Sequence, residues 1–233
     1  MRVIRNSFDE TFNIKKMRQT VLYLTMILLG FSNLAISQDT TSQNDDFNRW
    51  QLRLRGIVVT PDEGASIDAI GGDVDISTTV VPEFDITYFL NEHWSLELIL
   101  ATTNHDVEAV RTAAGNLDLG DVWLLPPTLT AQYHFTGGDL VPYVGAGPNL
   151  TIFYGADEGP IADNVDYDTS VGFALQAGFD FMLNDKWFLN LDVKKLFLST
   201  DATIDATTAL GATVGADVDI DPWIIGFGIG VKL

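Results

Sequence analysis

The most regular feature of this chain is a period of two. Eight segments of about ten residues alternate apolar with polar or small residues, with turn residues between them. Successive side chains of a strand point to opposite sides, so this alternation predicts strands with one greasy and one wet face. The first sets Trp50, Leu52 and Leu54 against Gln51, Arg53 and Arg55, and continues through Ile57 and Val59 to a stop at Pro61. The second sets Phe84, Ile86, Tyr88 and Leu90 against Glu83, Asp85 and Thr87; the third sets Trp94, Leu96, Leu98 and Leu100 against Ser95, Glu97 and Ile99. The fourth places Leu129, Ala131, Tyr133 and Phe135 against Thr128, Thr130, Gln132 and His134. The fifth, Tyr143 to Tyr154, contains Gly145 and Gly147, and the pattern leaves its facing open. The last three alternate cleanly over Ser170 to Phe181, Trp187 to Lys194 and Trp223 to Lys232.

Connections alternate too. Segments two to three, four to five and six to seven join through a few residues, whereas the others join through roughly 12 to 20 polar residues, read here as long loops. Short turns on one rim and long loops on the other predict an all-β fold, an eight-stranded antiparallel up-and-down transmembrane β-barrel over residues 49–233. Leu90-Asn91-Glu92-His93-Trp94-Ser95-Leu96 is echoed by Leu183-Asn184-Asp185-Lys186-Trp187-Phe188-Leu189. Both copies place a Trp on the apolar face at the short-turn rim, and Trp50, Tyr88, Tyr133, Phe135, Phe179 and Phe181 fall near that level as an aromatic girdle. A soluble sandwich or lipocalin-like barrel also alternates, but would bury its bulky apolar face and expose its charges.

Ahead of the strands, Lys15, Lys16 and Arg18 precede the apolar run Val21 to Phe31, with small or polar Ser32, Ala35 and Ser37 beyond it. This is the pattern of a secretory signal peptide over residues 1–37, with Met17 an alternative start, followed by a flexible polar arm over 38–48. The run is too short to span a bilayer as a helix. Export and a barrel together predict the outer membrane of a Gram-negative-type bacterium, with its lipid as a partner.

The chain has 13 Lys+Arg against 32 Asp+Glu, a formal charge of −19. That excess argues against nucleic acid, which needs clustered cations. With no Cys, thiolate metal sites and Cys nucleophiles are excluded. His93 falls in a turn, His105 in a loop and His134 near a strand end, and none stands with a Ser and an acid in a recognisable motif. No enzyme, no cofactor and no metal centre is expected; a spatial cluster around His105 would be exposed by His105→Ala, which abolishes an enzyme and spares a channel.

Leu125-Pro126-Pro127-Thr128-Leu129 running on to Phe135, followed by Pro142-Tyr143-Val144-Gly145-Ala146-Gly147-Pro148-Asn149, resembles the OmpW family of outer-membrane barrels. Thr60-Pro61-Asp62-Glu63-Gly64-Ala65 and Asp221-Pro222-Trp223 add to the resemblance. It implies a monomeric eight-stranded barrel with a narrow lumen, through which small hydrophobic molecules are proposed to pass. Such barrels usually end in an aromatic residue, whereas this sequence ends at Leu233.

Counting along each strand from its short-turn end sorts the inward residues by height. Low in the lumen fall Arg53, Arg55, Glu83, Asp85, Glu97, Asp180, Asp192, Lys194 and Lys232. Charges in a narrow barrel persist only when paired, which predicts an ion-pair plug of Arg53 and Arg55 with Glu83, Asp85 and Glu97. Higher up, the same parity turns Ile57, Val59, Val81, Ile99, Leu124, Phe153, Leu196, Leu198 and Ile224 inward, an apolar pocket open toward the loops. Two uses fit it: passage of a small hydrophobic molecule, leaving sideways between strands, or simple filling of a small barrel. A third reading keeps the barrel as a structural or surface-interaction scaffold with acidic loops.

The long-loop rim collects 19 acids opposed only by Arg111. Asp217, Asp219 and Asp221 share the outward parity of Trp223, which places them at headgroup height. Divalent cations such as Ca²⁺ or Mg²⁺ could bridge them to anionic lipid. No closed binding motif is present, and solvated acidic loops are the simpler reading.

Overall fold

A computed structural model of the chain describes residues 48–68 and 70–233. The expected leader at 1–37 and the arm up to residue 47 lie outside the described residues.

Eight strands close into a barrel: β1 (Trp50–Thr60), β4 (Thr79–Phe89), β5 (Trp94–Ala101), β8 (Thr128–His134), β9 (Leu140–Glu158), β11 (Ser170–Met182), β12 (Trp187–Phe197) and β15 (Trp223–Lys232). Each pairs antiparallel with its neighbours in that order, and β15 returns to β1, so the wall has no free edge at this level. Closure is what a strand-built membrane protein requires, because lipid offers backbone groups no hydrogen-bond partner. Buried and exposed side chains alternate residue by residue, as in β1 and β12. The exposed side carries Leu54, Phe84, Leu100, Leu175, Leu191, Val193, Ile225, Phe227 and Ile229. An apolar belt of this extent faces lipid tails, not water.

The short rim explains the sequence echo. Asn91 Oδ1 accepts from the backbone N–H groups of His93 and Trp94 at 2.9 Å each, and Asn184 Oδ1 accepts from those of Lys186 and Trp187 at 3.0 and 2.9 Å. In both turns the Trp N–H and C=O are engaged, since Leu90 and Leu183 donate to the Trp94 and Trp187 carbonyls at 2.8 Å. Each Asn side chain thus supplies the acceptor that a tight turn lacks. The turns present Trp94 and Trp187 outward, within a belt where Trp50 meets Tyr88 at 4.8 Å and Tyr133 meets Trp94 and Phe135 at 5.1 Å.

The other rim corrects the expectation of long loops, because most of it is sheet. β6 (Thr103–Thr112) and β7 (Gly115–Leu125) form one closed hairpin; β13 (Ser199–Ala206) and β14 (Ala212–Asp219), joined by the helical turn α1 (Thr207–Leu210), form another. The remaining two connections hold β2 (Gly64–Ile67), β3 (Asp73–Ile76) and β10 (Asn164–Tyr167). Here the arms splay: β2 pairs with β14 but β3 with β6, and β10 pairs with β13 while the upper part of β9 pairs with β7. Above the membrane the barrel therefore divides into two four-stranded faces, β3-β6-β7-β9 and β10-β13-β14-β2. Their inward residues, including Val74, Val107, Val122, Val165, Ile204, Val214 and Val218, are buried. Acids and threonines alternate with them on the wet side, so the inner face is apolar and the outer one hydrophilic, inverting the membrane barrel below.

Candidate functional site

Register brings the charged lumen residues together before any side chain is considered. Arg53 lies directly opposite Asp85 on one side and Gly230 on the other; Arg55 lies opposite Glu83 and Gly228. A Cβ at Gly230 would collide with the Phe188 ring and one at Gly228 with the Leu54 carbonyl oxygen and the Arg55 side chain. The glycines of β15 therefore leave room for the Phe188 ring and for the aliphatic stems of Arg53 and Arg55.

Arg53 Nε donates to Asp85 at 3.0 Å and its Nη2 to Thr87 at 2.7 Å. Arg55 contacts Glu83 and Asp85 at 2.8 Å and Glu97 at 3.2 Å. Lys194 adds Glu83 at 2.8 Å and Asp192 at 3.0 Å. The side chains of Arg53, Arg55, Asp85 and Glu97 are all 0% exposed. Neutral groups complete the layer: Gln132 Nε2 and Thr130 Oγ1 donate to Glu97, while Tyr143 O–H and Gln176 Nε2 each donate to Asp192 at 2.8 Å. Five carboxylates, three cations and these amides and hydroxyls form one buried, mutually paired layer inside the barrel. Such groups are held in a dry interior only by this mutual pairing. Lys232 stands apart, in a hollow below the plug lined by Gln51, Phe89, His134 and Asp180.

Two buried contributors escaped the sequence reading. Tyr143, 1% exposed, points inward from β9 with its ring 5.4 Å from the Arg53 guanidinium carbon, and Phe188, 0% exposed, packs inward from β12. The facing of Tyr143 is readable only with the register, which sets inward Gly145 opposite Gln176 and Gln132.

Above the plug an apolar cavity of about 90 Å³ opens, with Glu83 and Lys194 in its lining. This exceeds the roughly 10–15 Å³ needed for one water. Ile57, Val59, Ile99, Leu124, Phe153, Leu196, Leu198 and Ile224 line it; Val81 instead packs against the same cluster from its edge. The cavity continues upward between the two extracellular faces, past His105, Ile204, Val218 and Tyr167. His105 lies on β6, not in a loop; its Nδ1 is 2.6 Å from the Ser77 carbonyl oxygen, and burial holds its pKa below the ordinary histidine value. Burial pushes the Tyr167 phenol up to about 12.

Outside, Asp217 and Asp219 are exposed, whereas Asp221 is turned back: its φ is 35° and its Oδ1 accepts from the Leu198 N–H at 2.8 Å. Arg111 pairs with Asp73 at 2.5 Å, and it is not alone against the acids, because Lys195 reaches Asp62 at 2.9 Å over the face of Trp223. Hydrogen bonds from the Ala65 and Val74 N–H groups, ahead of the Arg111 charge, hold the Asp73 carboxyl below its usual range. Asp201 lies directly opposite Asp217, and their shared hydrogen bond and repulsion raise its pKa.

A closed, lipid-belted barrel with a charged, internally paired waist defines an outer-membrane β-barrel protein. The OmpW family model matches residues 49–233, and the chain belongs to that family. It is 44% identical over 182 residues to the outer-membrane protein y4mB of Sinorhizobium fredii, covering 77% of this chain and 78% of that one. Outer membrane protein W of Vibrio cholerae is 36% identical over 154 residues, 62% of this chain and 70% of its own. The crystal structure of OprG from Pseudomonas aeruginosa superposes with a TM-score of 0.74 at 29% identity, covering 80% of this chain and 96% of that one. These relatives are outer-membrane barrels, not members of enzyme families.

Proposed function

We propose that the barrel passes small hydrophobic molecules inward from the cell exterior as far as the membrane, using the apolar cavity as a waiting site. One observation carries the reading: an apolar cavity lies directly on a buried ion-pair plug. The plug gives an apolar solute no favourable way down, since it would have to part charges that survive only by contact. Exit is therefore sideways, through the wall, into lipid. The residues proposed to bind the solute are Ile57, Val59, Ile99, Leu124, Phe153, Leu196, Leu198 and Ile224, with Val81 supporting them.

Uptake of a fluorescent apolar tracer by cells or proteoliposomes tests this. A carboxylate placed among these residues charges the cavity at a cost of several kcal/mol unless it is neutralised. Ile99→Asp and Leu124→Asp should each reduce uptake about 10-fold or more, since ~1.4 kcal/mol suffices for tenfold. Heat-modifiable gel mobility verifies the fold, and unchanged uptake by folded variants would refute the reading. The surface-interaction alternative draws on the exposed acids Asp201, Asp217 and Asp219. It predicts the opposite sensitivity, with acid-to-amide changes altering surface binding and the cavity changes doing nothing.

A further inference from the structure

The two splayed connections leave two slots in the extracellular wall, and they are fastened differently. β9 and β11 pair from Leu140 opposite Phe181 up to Thr151 opposite Ser170. Above that level β9 keeps only β7 as a partner, while the chain returns through β10, which bonds to β13. No backbone hydrogen-bond ladder joins β9 to β10. Across this gap stand two rings, Phe153 from β9 and Tyr167 from β10, with centroids 5.4 Å apart and planes 20° from parallel. Both rings line the apolar cavity.

The other slot lies between β2 and β3 and is tied by polar bonds to the backbone. Asp73 Oδ1 accepts from the Ala65 N–H across the gap at 2.7 Å and from its neighbour Val74 at 2.9 Å. Glu63 Oε1 also accepts from the Ile76 N–H at 3.4 Å. An apolar solute cannot replace those bonds, and parting them leaves donors and acceptors unmatched. It can replace one ring of a stacked pair, because both the pair and the solute are apolar surfaces in contact.

Height places the ring-closed slot at the membrane boundary. Phe153 is opposite Leu124, and the adjacent pair Trp123 and Tyr154 faces outward, 40% and 45% exposed. Just below the slot, Val171 and Phe173 project outward, 78% and 47% exposed. Outward Trp and Tyr mark the headgroup level, so the lower end of the slot opens where acyl chains begin.

Resting on the passage reading above, we infer that the slot between β9 and β10 is the side exit and that the Phe153–Tyr167 stack is its gate. The rings part to admit a solute from the cavity and close behind it, while the β2–β3 slot stays shut.

The absence of Cys from the chain makes a tether clean. Phe153→Cys with Tyr167→Cys, joined by a short bis-maleimide in the folded barrel, closes the slot covalently. Ala65→Cys with Asp73→Cys, joined the same way, closes the other. Tracer flux into proteoliposomes and tracer binding by fluorescence are read for each, before and after linking. The expected result, each protein being compared with itself before linking, is at least a tenfold loss of flux on linking 153 to 167 with no matching loss of binding, and little change on linking 65 to 73. Phe153→Ala should raise flux and provides a second test that needs no tether. Full flux through the 153–167 link, with wild-type protein active, overturns the gate and leaves the passage reading standing. No flux above protein-free vesicles with wild-type protein overturns the passage reading and the gate with it.

Discussion

Arg55 touches four carboxylates, Glu83, Asp85, Glu97 and Asp192, at 2.8 to 3.7 Å. Removing it strands buried negative charge, which typically costs about 3–5 kcal/mol. Arg55→Met should therefore lower the unfolding free energy by roughly that amount. Denaturant titration in lipid vesicles, followed by tryptophan fluorescence, measures it. Arg55→Lys should recover only part, because an ammonium cannot reproduce a planar fork that serves several acceptors. The residues of this layer on β1, β4 and β5 were legible in the sequence because each strand alternates without interruption from its turn. Tyr143 was not: Gly145 and Gly147 beside it carry no side chain to declare a face, and Phe188 follows Trp187, so two bulky neighbours compete for the outward side.

Among the elements, the paired short turns give a clean test. Asn184→Ala removes two hydrogen bonds to backbone N–H groups and should cost about 1–3 kcal/mol, at roughly 0.5–1.5 kcal/mol per bond. Asn91→Ala should behave alike, and the double variant should be close to additive, since the turns share no partner; the same titration reads both. The β13–β14 hairpin should respond to pH. Asp201 titrates above its ordinary value because Asp217 faces it, so the folded hairpin binds that proton more tightly than the unfolded chain. The penalty is complete above the raised value and is relieved as pH falls toward the ordinary aspartate value. Amide exchange in β13 and β14 should slow, relative to its intrinsic rate, as pH falls through this window. Asp217→Asn should remove that dependence. Asp73 has the opposite sign: its stabilisation is present above the ordinary aspartate value and is lost as pH falls through its lowered one. The extracellular strands were harder to read because their alternation is apolar with Asp or Thr, a composition that turns and loops also favour.

At the largest scale, residues 48–233 form two barrel sections of opposite polarity, one continuing the other. Below, greasy side chains face out and charges face in; above, the faces are reversed. Parity was legible over most of the lower body, β9 around Tyr143 and the Trp187–Phe188 pair apart, because lipid demands a continuous apolar exterior. The division of the upper body was not, because pairing partners in β2, β3 and β10 depend on which face each four-residue strand joins, and local pattern carries no such information. The glycine file of β15 has a further consequence for biogenesis. Gly228 and Gly230 bring the final strand up against the aliphatic stems of Arg55 and Arg53 on the first. A methyl at either position would strike them, so the last seam of the cylinder closes only around stems already laid inward along the first strand.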